Sequence, residues 1–298
     1  MKLSNDISKR QFGSMRYVYS CVLTAVKSSV PTLTHVIASQ KTRAGGSVTA
    51  VTSLDDEVFV ARHKSQNVEV YDAVTFHTRR HITVRGLGSH TYGMTACGRN
   101  KCLYLSSYLN DNVHRVELSG SKAVKKWSVA SDPRGLSVNI VHNLVVACQG
   151  LNILQEYTTH GCVVREVCLR AHVTSPYHAI QLSTGDYVVG QNSLWDAVSV
   201  VGVDGQVLHR YGSETSDVGP MTNPRSLAVT KNDDVFVADC DNNRILSINN
   251  GCVQELALSV DGGIQRPLGL CLDESRGRLY VGEYSGQHRV LVFDGVGL

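Results

Sequence analysis

No apolar run in this 298-residue chain reaches the roughly 20 residues that a membrane-spanning helix needs. The stretch from Tyr17 to Val26 comes nearest to a secretory core, but it is short and broken by Ser20 and Thr24. A long segment containing Asp6 precedes it, so a cleaved leader is not expected. Metal-binding spacings are missing as well. The nine cysteines form no Cys-x-x-Cys pair, and none of the 12 histidines stands in a His-Glu-x-x-His motif. There is no Ser-His-Asp order, no phosphate-cradling glycine loop and no pair of acids in a common context.

These absences lead to expectations. Cys102, Cys148, Cys162, Cys168, Cys240, Cys252 and Cys271 lie in or beside predicted strands, where free cysteine behaves as a small buried hydrophobe. That usage fits a reducing, cytoplasmic setting. The missing chemistry predicts a chain with no catalytic activity, cofactor or metal. The charge balance bears on partners. Seven of the 29 basic residues but one of the 26 acids fall within residues 1–44, which leaves 22 basic against 25 acidic residues beyond. The main body is therefore slightly acidic, a poor match for a phosphate backbone.

What the chain does contain is a repeat. Six apolar triplets recur: Val58–Val60, Leu103–Leu105, Leu144–Val146, Tyr187–Val189, Val235–Val237 and Leu279–Val281. A small residue follows each (Ala61, Ser106, Ala147, Gly190, Ala238, Gly282), and the triplet centres are 45, 41, 43, 48 and 44 residues apart. A period of roughly 40–50 residues built only from strands predicts a propeller of four-stranded blades. The fold class is thus all-β, a six-bladed β-propeller of antiparallel blades. The small residue is expected beside the central channel, where bulk would push blades apart. The sixth repeat stops before a fourth strand, and an open strand edge invites aggregation. Thr34–Ser39 is predicted to complete that blade, giving a basic extension over 1–30 and a propeller over 31–298.

In the fifth repeat Pro224-Arg225-Ser226-Leu227-Ala228-Val229 is followed by Asp234-Val235-Phe236-Val237-Ala238-Asp239 and Asn242-Asn243-Arg244-Ile245. This resembles the NHL repeat, as in the propeller of TRIM-type ubiquitin ligases; the sixth repeat nearly matches and the others match in part. The resemblance implies structural pairs, Asp239 with Arg244 and Glu283 with Arg289, from which Arg62, Ser107, Cys148 and Gln191 depart. A RING or B-box would need closely spaced zinc ligands, and residues 1–44 hold only Cys21 and His35. Only the recognition half of such a ligase system is expected here.

The candidate binding face is where first strands begin and second strands end. It is expected to carry Tyr92, Arg134, Tyr177, His178 and Arg225 from strand entrances, with Arg62, Lys64, Tyr108, Trp195, Asn242, Tyr284 and His288 from adjoining turns. Arginines and aromatics with few acids suit protein hot spots and single-stranded RNA platforms alike. The charge balance favours a protein partner, with a monomeric propeller as the recognition module. RNA binding in post-transcriptional regulation is the alternative. A metal-dependent propeller hydrolase or lyase would have only Asn192, Asp239, Glu283 and His178 to draw on.

Overall fold

The second strand of each repeat is apolar at successive positions because it is buried on both sides. In the computed structural model, which describes residues 30–38, 46–88, 91–119, 123–170, 172–192, 196–212 and 218–296, Phe59 packs with Leu103 and Leu105 of the next blade. Its neighbours Val58 and Val60 pack with Tyr280 and Val292 of the preceding blade. The same division holds around the ring, so six apolar clusters occupy the six blade interfaces.

Each blade is a four-stranded antiparallel sheet, with strands in chain order in the first five. The first, innermost strands are Val48–Leu54, Met94–Cys97, Pro133–Val138, Pro176–Gln181, Pro224–Val229 and Pro267–Asp273. The second are Glu57–Arg62, Cys102–Ser107, Leu144–Cys148, Tyr187–Gln191, Val235–Asp239 and Arg278–Glu283. The sixth blade is closed by a strand from the other end of the chain. Thr32–Ile37 pairs antiparallel with Val290–Asp294, Ile37 is buried, and the Thr34 hydroxyl donates to the Val292 carbonyl. The predicted closing strand is therefore present, beginning two residues earlier than expected.

The small residues keep the blades close, as expected, but they do not line the channel. They face the first strand of the next blade, while the channel is lined by first-strand residues such as Thr49, Thr95, Ser137 and Ser226. The Ser106 hydroxyl donates to the Arg134 carbonyl at 2.8 Å. A Cβ at Gly282 would lie 2.5 Å from Val48 Cγ1. Blade-to-blade contact sets their size.

Two expectations about cysteine also change. Cys102, Cys148 and Cys240 are buried free thiols, but Cys162 and Cys168 are exposed and Cys271 is half-buried. Cys252 is disulfide-bonded, so uniform thiol usage does not hold. Burial pushes the Cys148 thiol up to about 12, the behaviour of an inert core residue.

Candidate functional site: an arginine and tyrosine mouth

Four of the six prolines start first strands: Pro133, Pro176, Pro224 and Pro267. Each follows a residue in the left-handed region, Asp132 (φ 57°), Ser175 (54°), Asn223 (60°) and Arg266 (46°). Just after each proline the pairing register slips against the second strand. A bulge of this kind gives one strand an extra residue and re-aims a side chain. Arg134, Tyr177, Arg225 and Leu268 occupy that position, and three of them carry the chemistry of the mouth.

The Arg134 guanidinium lies 3.8 Å from the Tyr108 ring centroid, 4.9 Å from Tyr92 and 5.8 Å from Tyr177. Its Nε donates to Gln149 Oε1 at 2.7 Å. Arg225 stacks on Tyr177 at 4.2 Å, and Arg266 lies 5.8 Å from Tyr284. The His63 ring spans from Tyr92 (6.4 Å) to Tyr284 (6.1 Å). Burial pushes the Tyr177 hydroxyl up to about 12, against the pull of Arg225 and Arg134. Tyr92 is raised for the same reason. Both phenols are neutral at physiological pH and able to donate.

The structure thus gathers Tyr92, Tyr108, Arg134, Tyr177, Arg225 and Tyr284. Other expected residues stand elsewhere. Arg62 is buried, with Nε 2.9 Å from Glu69, and its Nη1 donates to the carbonyls of Gly46 and His288. The His288 ring Nδ1 is 3.0 Å from the Tyr284 carbonyl. Lys64 is exposed in the turn beyond Arg62. Asn242 donates to Asp239 and to the Pro220 carbonyl. Trp195 lies outside the described residues.

His178 is a strut between blades. Its Nδ1 accepts the Leu227 amide at 2.9 Å, so Nε2 carries the proton and donates to the Leu136 carbonyl at 3.0 Å. Burial lowers it to about 4. Both nitrogens are thereby committed to the fold rather than to a partner.

Asp239–Arg244 and Glu283–Arg289 are paired at 2.7 and 2.8 Å, and their role becomes clear from the chain leading into each first strand. Asp239 accepts the Thr222 amide and Glu283 the Gln265 amide, latching the approach to the bulge. Blade one reverses the charges, with Arg62 holding the Gly46 carbonyl. In blade two Ser107 holds the Leu87 carbonyl. In blade three Gln155, from the third strand, takes the Ala130 amide.

Comparison with known proteins places the fold. The NHL repeat matches residues 221–246 and 265–293. No curated protein sequence matches the chain significantly. Among solved structures, a streptogramin B lyase superposes with a TM-score of 0.63 at 12% identity, covering 87% of this chain and 96% of that one. Virginiamycin B lyase from Staphylococcus aureus gives 0.61 at 10%, covering 87% and 98%. Hydrazine synthase of Kuenenia stuttgartiensis gives 0.63 at 20%, covering 86% and 78%. These are likenesses of fold, and they correct the expectation of a chain without activity: the same architecture carries lyases. Reasoning from the residues at second-strand ends does not exclude catalysis on such a frame. The chain is a six-bladed propeller whose fifth and sixth blades match the NHL repeat.

Proposed function

We propose that this propeller captures a protein partner on the face that holds Arg134 and Arg225. The observation that carries this reading is Arg134 held against Tyr108, Tyr92 and Tyr177 with no carboxylate in ion-pair range among the described residues. Arginine and tyrosine in a desolvated centre are the composition of interface hot spots. Leu109 and Leu151, in the turns just outside, are 61% and 58% exposed and give the face an apolar rim. Tracking a nucleic-acid backbone takes many free cations. Here Arg62 is occupied by Glu69 and Arg266 by Asp241, which favours protein over RNA.

The test is cross-linked capture from cells, with and without nuclease, by the wild type and by Arg134→Ala/Arg225→Ala. The reading expects nuclease-resistant capture that the double variant loses, with melting within a few degrees of wild type. Nuclease-sensitive capture would assign the face to RNA. Undiminished capture by the double variant would move the site elsewhere.

A further inference from the structure

The mouth encloses a cavity of about 350 Å³. Tyr92, Arg134, Tyr177, Arg225, Arg266 and Tyr284 line most of it, and no carboxylate does. Three buried donors around it lack an acceptor among the described residues: Arg225 Nε, Arg266 Nε and the Tyr177 hydroxyl. Buried donors are normally satisfied, and an orphan is costly enough to need an explanation. One is unremarkable. Three bordering a single acid-free cavity share a remedy, an acceptor brought from outside.

We infer that the mouth seats an oxyanion carried on a peptide side chain, held by Arg225 and Arg134 with Tyr177 donating from the wall. This rests on the protein-recognition reading and specifies what the partner inserts. A guanidinium stacked on a ring keeps its in-plane N–H edge free, and that edge matches a carboxylate or phosphate in a bidentate manner. Arg134 stacks on Tyr108 and spends only its Nε on Gln149. Arg225 stacks on Tyr177, and its buried Nε has no acceptor among the described residues. The Tyr177 phenol, kept neutral by burial, adds a donor without adding charge. Arg266 is less available because Asp241 holds it at 2.7 Å, so it sets the edge of the seat. A carboxylate side chain and a phosphorylated one present the same chemistry, and the experiment separates them.

The experiment is fluorescence anisotropy on the full chain with three labelled peptides of one length. One carries three consecutive glutamates, one a single phosphoserine and one three consecutive glutamines. An acidic peptide is expected to bind at least about tenfold tighter than the glutamine peptide, as for a charge-assisted hydrogen-bond pair. Whichever acidic peptide binds tighter identifies the group. Arg225→Gln should erase that preference, Tyr177→Phe should weaken it, and both variants should melt as the wild type does. Equal binding of the three peptides, including binding by none, overturns the inference, as does a preference that survives Arg225→Gln. If Arg225→Gln leaves partner capture intact while Arg134→Ala abolishes it, the face is right and the oxyanion seat is wrong.

Discussion

Replacing Asp239 by alanine tests the latch that aims the mouth. Asp239 is fully buried and accepts from the Thr222 amide at 2.7 Å, Asn242 Nδ2 at 2.8 Å and Arg244 Nε at 2.7 Å. The alanine leaves Arg244, only 15% exposed, with just the longer contact to the exposed Glu255 at 3.5 Å as counter-charge, and it orphans the amide of Thr222. Breaking one side of a buried pair typically costs about 3–5 kcal/mol. At roughly 2–4 °C per kcal/mol for a domain of this class, the melting temperature should fall by about 6–20 °C. Asp239→Asn keeps an acceptor for the Thr222 amide and should lose less. The control is Asp55→Ala, which breaks the exposed pair with Lys101 (61% and 48% exposed) and should cost about 0–1 kcal/mol. Equilibrium urea unfolding of the four proteins gives the comparison. An Asp239→Ala variant no less stable than Asp55→Ala would refute the idea that the approach to Pro224–Val229 is held by a buried latch.

Removing residues 1–40 takes away Thr32–Ile37 and leaves the edge of Val290–Asp294 unpaired; insolubility or a sharp loss of stability is expected, and a soluble 41–298 fragment as stable as the parent contradicts the closure. His178 is lowered to about 4 while an unfolded histidine titrates near 6.5, so the unfolded chain binds the extra proton first and stability falls as pH drops between those values. About 2 kcal/mol should be lost between pH 7 and 5 from this group, and His178→Gln should lose correspondingly less over that range. Phe236→Ala, at the interface of blades five and six, should cost about 3–5 kcal/mol and abolish binding only through unfolding, which a melting curve distinguishes from the mouth variants.

The fold was legible because burial on both faces leaves its mark residue by residue. Phe59 with Val58 and Val60 serves two interfaces, so the whole triplet must be apolar, and the period follows. Part of the mouth was legible for a related reason: Arg134, Tyr177 and Arg225 each follow a proline at a strand entrance. Arg266 carries no such mark because it precedes its proline. It reaches the mouth through a left-handed backbone (φ 46°), which no side-chain pattern announces. Arg62 looked free because its partner Glu69 lies seven residues on, in the third strand, outside the position that holds Arg244 and Arg289. His178 looked like a ligand because its acceptor and donor, at Leu136 and Leu227, are 42 and 49 residues away on neighbouring blades. Contacts between blades are invisible to a reading made one repeat at a time.

The most direct test of the binding face is site-specific photo-cross-linking in cells. A benzophenone amino acid at Leu109, exposed in the turn beside Tyr108 on the mouth face, should give a discrete, nuclease-resistant protein adduct. The same group at Ile140, 68% exposed in the turn between the first and second strands of blade three, lies at the opposite end of the propeller and should give none. An adduct from Ile140 but not from Leu109 would contradict the account.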